Sequence, residues 1–162
     1  MRPFKLLLLL TFVFSLPASA GPDFKNLGTG DTQTVEQFMQ DGQWLIVMFW
    51  ASDCHVCNRE AGNYAAFHEK HKDGMARVLG ISLDGKSKES DAESFVFEHG
   101  VEFDNLIGEA RSVVDYYQQL THTAWIGTPS FAVFGPDGEL KAKQVGAVPV
   151  PLIEHYIQSN GS

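Results

Sequence analysis

The sequence predicts an α/β domain built on a central mixed β-sheet with helices on both faces. Three observations predict it. A nearly unbroken apolar run, Trp44–Trp50, has strand length and reads as a central strand buried on both sides. Strand-like and helix-like stretches then alternate along the chain, the pattern of layered α/β domains. Finally, Pro129–Phe134, the turn Gly135-Pro-Asp-Gly138 and Leu140–Val145 make a hairpin signal. A chain of 162 residues holds one such domain with room for a core.

The first twenty residues stand apart. Arg2 and Lys5 form a basic head, Leu6–Leu16 is apolar except for Thr11 and Ser15, and Pro17-Ala-Ser-Ala20 supplies small residues before Gly21. That is the pattern of a secretory signal peptide, residues 1–20. Its apolar run is shorter than the roughly 18–20 residues of a membrane helix. Cleavage after Ala20 is expected, with an uncleaved, membrane-tethered form as the alternative.

Residues 21–162 form the domain. Residues 21–33 are polar and Gly-rich and read as a loose lead-in. Thr34–Gln40 reads as a short helix closed by Asp41-Gly42, and Cys54 to about Lys72 as a long helix closed by Asp73-Gly74. Ala76–Ser82 is a second strand. Ser87–His99 is a polar, amphipathic helix, Val101–Ile107 holds a short strand, and Ser112–Leu120 is another helix. Pro151–Gln158 closes the chain as a helix with proline at its start.

The formal charge is −8, and −10 once Arg2 and Lys5 are gone. This balance argues against nucleic acid and anionic membrane as partners. It suits basic client proteins, or simply a soluble surface.

The chemistry concentrates at two cysteines, Cys54 and Cys57, where the first strand hands over to a helix. A close thiol pair at a helix start reads as a redox centre. As a staple it would do little: a four-residue loop constrains the unfolded chain by about 2 kcal/mol, against about 3 kcal/mol for fifteen residues. Zinc needs four ligands. His68 is about 21 Å further down a straight helix, and His55 alone leaves the set incomplete. Copper(I) on two thiolates stays open.

At the helix start, free N–H groups and the helix dipole favour a Cys54 thiolate, the candidate nucleophile. Cys57, one turn deeper, suits the resolving role. Protonated His55 would favour the thiolate. Asp53 would oppose it by roughly 1 kcal/mol at about 7 Å and an effective dielectric near 40, or would cap the helix in competition with Ser52. Glu60, at i+3 from Cys57, is the candidate acid/base; it is equally a favourable carboxylate near a helix N-terminus. Trp50 is expected beneath the site, and Trp125 either in a client groove or in the core. His68 and His71 read as solvated side chains.

Phe49-Trp-Ala51, Cys54-His-Val-Cys57, Glu60, Thr128-Pro129, Phe131–Phe134 and Pro136-Asp-Gly138 stand in an order from about residue 40 onward that resembles the thioredoxin superfamily. Within it the chain is similar to the TlpA-like branch, which includes extracytoplasmic thiol-disulfide oxidoreductases of the ResA and DsbE type. The resemblance implies a thioredoxin fold with a helix-bearing central insertion at about 84–127. It also implies a redox-active Cys54–Cys57 disulfide with no further cofactor and no metal, and Glu60 acting with Cys57. Pro129 is then expected to be cis and to pack against the cysteines, while Thr128 offers its backbone to a client chain.

The implied partners are proteins with disulfides or dithiols, with apocytochrome c as a client before haem attachment, and a membrane thiol-reductant transporter. The implied compartment is the periplasm or another extracytoplasmic space. The pattern departs from the family at Met48, Asp53, Gly62 and the long stretch Thr121–Gly127. A reductase is the expected direction. The alternatives are a dithiol oxidase, favoured by His55, and a copper(I)-binding carrier using the same cysteines.

Overall fold

The computed structural model describes residues 21–39 and 42–161. The expected signal peptide, residues 1–20, and the first residue of the Asp41-Gly42 turn lie outside them. The strands are β1 (Phe24–Asn26), β2 (Thr32–Gln33), β3 (Trp44–Trp50), β4 (Ala76–Ser82), β5 (Asn105–Ile107), β6 (Ser130–Phe134) and β7 (Leu140–Val145). The helices are α1 (His55–His71), α2 (Glu89–Glu98), α3 (Ala110–Thr121) and α4 (Val150–Asn160), with tighter turns of helix at Val35–Met39 and Lys86–Lys88. Among the described residues no helix is long and apolar enough to cross a membrane.

The strands form one sheet in the order β2-β1-β5-β4-β3-β6-β7. β3 runs parallel to β4, and β4 to β5, while β6 pairs antiparallel with both β3 and β7. This is the mixed sheet the sequence predicts. β3 lies centrally because every one of its residues is buried. Its alternate side chains divide the core in two. Trp44, Ile46, Met48 and Trp50 join Cys57, Tyr64 and Phe67 of α1, Phe95 of α2 and Ile153 of α4 on one face. Leu45, Val47 and Phe49 join Val113, Tyr116 and Tyr117 of α3 on the other. Strand periodicity alone makes this division, since successive side chains point to opposite faces.

Two expectations are corrected. Residues 21–33 are no loose lead-in but carry β1 and β2, which extend the sheet beyond β5. Phe24 is buried and meets Tyr116 edge-on. The Asn26 side chain holds the intervening turn, accepting from the N–H groups of Gly28 and Thr29 and donating to Gln33 and Asp104. His68 is also not solvated: it is buried, and its Nδ1 accepts from the Val78 N–H at 3.1 Å. His71 is largely covered as well, 2.7 Å from Glu154 Oε1 on α4.

Residues 84–127 contribute α2, β5 and α3, so this stretch builds sheet as well as helix. It is tied to the strand beneath the site by one buried bond, Trp50 Nε1 donating to Asn105 Oδ1 at 3.0 Å. Only glycine suits position 80 there. A Cβ would overlap Asn105 Oδ1 and come within 2.8 Å of Trp50 Nε1.

Candidate active site

The site forms where the chain leaves the C-terminal end of β3. Residues 51–54 turn sharply, with the Cys54 N–H donating to Ala51 O at 3.1 Å, and α1 begins at His55. Cys54 is the N-cap residue. Its extended backbone (φ −84°, ψ 105°) carries the sulfur back over the first turn, where Sγ accepts from the Cys57 N–H at 3.1 Å. Cys54 and Cys57 are joined in a disulfide with Cα atoms 5.2 Å apart, well inside the range such bonds span. Cys54 is half-buried, whereas Cys57 is fully buried in the core cluster that also holds Trp50.

The capping role expected of Asp53 or Ser52 therefore belongs to Cys54. A side-chain acceptor at this position satisfies an N–H group that the helix itself leaves unpaired. Ser52 has other work. β3 and β4 are parallel with Trp50 opposite Ser82, so two residues further on Ser52 comes beside Asp84. The Ser52 N–H and hydroxyl both donate to the Asp84 carboxylate at 2.9 Å, and the Ser82 hydroxyl donates to it at 2.7 Å. Asp84 thus anchors the turn that presents Cys54.

Asp53 is exposed, but it does not face Cys54 as a lone charge. Lys88, in the stretch leading to α2, sits 3.1 Å from its carboxylate. The hydrogen bond to Asp53 holds the Lys88 ammonium above its ordinary value. The opposition to a thiolate expected from Asp53 is countered by this cation. His55 is exposed at the first position of α1.

The Thr128–Pro129 bond is cis. Phe49 pairs with Ser130, so buried Pro129 comes one step on, across from Trp50 at the edge where the cysteine turn departs. Thr128 lies just outside the ladder. Trp50 is fully buried and stacks on Phe95 with centroids 4.1 Å apart. Glu60 is half-exposed and lines a groove with Phe67, Lys70, Pro149 and Glu154. Beside it, burial first and the Glu60 charge second push the Tyr64 phenol far above its ordinary value, and its hydroxyl donates to Val148 O at 2.8 Å.

Trp125 is not with this group. It packs against Tyr117 and Phe49 on the α3 face of the sheet. Its neighbour Ile126 is 78% exposed, two residues before Thr128.

Asp84, Lys88 and Ile126 were not singled out in the sequence. Asp84 was findable. Residues just past a parallel strand's C-terminal end gather at the edge where open α/β sheets bind their ligands. The others have no local signature.

Comparison with known proteins agrees with this geometry. The AhpC/TSA family model matches residues 17–143. The thiol-disulfide oxidoreductase ResA of Oceanobacillus iheyensis is 26% identical over 142 residues, covering 85% of this chain and 69% of the relative. The thioredoxin domain of a thiol-disulfide oxidoreductase from Bacteroides vulgatus superposes with a TM-score of 0.68 at 20% identity, over 86% of this chain and 96% of that one. StoA from Bacillus subtilis gives 0.64 at 16%, over 83% and 93%. A thioredoxin fold carrying a Cys-x-x-Cys disulfide at the head of α1, matched over most of its length by these models and relatives, places the chain in the AhpC/TSA family and in the ResA/DsbE-type, TlpA-like branch of thioredoxin-superfamily thiol-disulfide oxidoreductases.

Proposed function

We propose that this oxidoreductase works outside the cytoplasm as a reductase of client disulfides, with Cys54 as nucleophile and Cys57 as resolving thiol. The observation that carries these two roles is the asymmetry of the pair, while the reductase direction rests on likeness to the branch. Cys54 is half-buried at the N-cap and its sulfur already accepts a helix N–H, whereas Cys57 is enclosed. An N-terminal N–H aimed at sulfur stabilises a thiolate more than a thiol.

The steps balance in sulfur and electrons. The Cys54 thiolate attacks one client sulfur, the client S–S bond breaks, and the other client sulfur leaves as a thiolate. Cys57, deprotonated, attacks Cys54 Sγ, re-forming the internal disulfide and releasing the second client thiolate. The client is reduced by two electrons and the pair oxidised by two. Glu60, one turn past Cys57, is the base proposed to take its proton. The client chain pairs with the backbone at Thr128 beside Pro129, gaining affinity through main-chain bonds. No cofactor is needed beyond the disulfide, which a membrane thiol-reductant transporter would reduce again.

The leader pattern in residues 1–20 supports the location. Apocytochrome c is the client proposed on likeness to the branch. The second reading, a dithiol oxidase, draws on Lys88, which offsets the Asp53 charge, and on exposed His55, which would favour a Cys54 thiolate when protonated. A reduction potential near about −270 mV supports the reductase, and one near about −120 mV supports the oxidase. Cys57→Ala, expressed in the native compartment, should trap clients on Cys54 as mixed disulfides that mass spectrometry identifies. An empty trap would sink the client-exchange reading, and stoichiometric Cu(I) binding without disulfide reduction would replace it with metal carriage.

A further inference from the structure

The turn that presents Cys54, anchored by Asp84, is gripped a second time by a side chain that is itself reached from another helix. Asn58 Nδ2 donates to two backbone carbonyls, Ser52 O at 3.0 Å and Cys54 O at 2.9 Å. Those carbonyls flank Asp53, so one amide grips both ends of the turn. The Asn58 N–H donates to the same Cys54 carbonyl at 3.0 Å, as the first helical bond of α1. Both hydrogens of a primary amide are then used, and its Oδ1 needs a donor from elsewhere.

His99 supplies it. This residue caps the C-terminus of α2, and its Nε2 lies 2.9 Å from Asn58 Oδ1 across 41 residues of sequence. A histidine carrying hydrogen on Nε2 donates there whether neutral or protonated. The imidazole ring is itself set by Phe95, edge-on with centroids 4.7 Å apart, and Phe95 stacks on Trp50. The amide therefore has one satisfied orientation, with its N–H groups facing the turn.

We propose that Asn58 is the positioning residue of the Cys54 thiolate and that His99 orients Asn58 for that task. The inference rests on Cys54 being the nucleophile, as argued above. Its physical content is that the thiolate needs the Cys57 N–H at short range. That 3.1 Å contact exists only while Cys54 keeps the N-cap conformation. Losing the Asn58 amide frees Ser52 O and leaves Cys54 O with its helical bond alone, so the turn relaxes and the contact lengthens; the thiolate then loses a donor while the thiol loses little. His99 and Asn58 thereby couple the insertion to the redox centre.

Three variants of the full chain test this. Asn58→Ala removes the grip. His99→Phe keeps a ring against Phe95 but removes the donor, whereas His99→Gln retains an N–H donor. Asp53, Lys88, Asp91 and Glu98 line the same cleft and are unchanged in all three, and the two His99 variants lose the same ionisable ring, so that pair differs in the donor and not in charge.

Two quantities are read. One is the Cys54 thiol pKa of the reduced protein, from the pH profile of iodoacetamide alkylation. The other is the equilibrium constant for disulfide plus two glutathione going to dithiol plus glutathione disulfide. Asn58→Ala should raise the thiol pKa by about one unit and lower the constant by up to tenfold, about 30 mV towards a more reducing couple. His99→Phe should move both in the same direction by about threefold, and His99→Gln should restore the wild-type values.

A depressed wild-type Cys54 pKa that stays unchanged in Asn58→Ala and His99→Phe overturns the positioning role and leaves the nucleophile intact. If wild-type Cys54 titrates as an ordinary thiol near about 8.5 and Cys57 alkylates first, both assignments fall. Should Asn58→Ala not fold, the His99 pair decides the matter, because Phe and Gln differ in the donor under test.

Discussion

Lys88 and Asp53 are both exposed, yet their pairing bears on the sulfur next door. An uncompensated carboxylate one residue before Cys54 raises the energy of a thiolate through space. Lys88→Ala should therefore raise the Cys54 thiol pKa and make the couple more reducing in about 0.1 M salt. The shift should fade towards about 1 M, where the Debye length falls from about 10 Å to about 3 Å. Glutathione equilibration at the two salt concentrations checks this, and a shift that persists unchanged at high salt would point to packing instead. His68 makes a different prediction. Burial, ahead of the smaller effects of Glu69, Lys72, Arg77 and Asp104, pushes its imidazole below the ordinary value of 6.5. Its Nδ1 must stay unprotonated to accept the Val78 N–H. The unfolded chain thus binds the proton first as pH falls. The stability His68 contributes is complete above about pH 6.5 and is lost as pH drops from there towards its lower folded value. Urea unfolding between about pH 7.5 and pH 5 should show that slope flattened in His68→Gln; an identical slope would rule out His68 as its source.

At the scale of the element, β1 shows how little chain a sheet edge needs when its side chains are well placed. It is three residues long, but Phe24 is 3% exposed and plugs the space beside Tyr116 and Gly108. Phe24→Ala should cost about 3–5 kcal/mol, the usual range for truncating a buried phenylalanine, read from chemical denaturation. A loss under about 1 kcal/mol would mean that residues 21–33 are the loose segment their composition suggests. α2 shows the converse. One side of it meets the core through Ala92 and Phe95, yet its sequence is so polar that the helix reads as a surface element. Phe95 against Trp50 and His99 on Asn58 make it part of the site.

Across the whole molecule the net charge is −8, and in the cleft beside the cysteine turn Asp53, Asp91 and Glu98 outnumber Lys88. Long-range attraction should then speed encounter with basic clients. The second-order rate for a basic disulfide peptide should fall as salt rises from about 0.01 M to about 1 M, as the Debye length shrinks from about 30 Å to about 3 Å. The rate for an acidic peptide should rise; matching salt profiles would remove steering from the account. Much of this architecture was legible in the chain. β3, β4 and the β6–β7 hairpin follow from apolar runs and turn residues, and α1 begins where the cysteines predict. β1 and β2 were not, because three and two residues carry no periodicity to read. Nor was the buried His68, one imidazole on a helix face whose cover comes from β4. Two sulfurs within one helical turn meet through local geometry alone, so the redox pair can be read from the chain. What surrounds them comes from packing between distant segments. Lys88 reaches Asp53 across 35 residues and His99 reaches Asn58 across 41, and contacts of that span exist because α2 packs on Trp50, which no local pattern encodes.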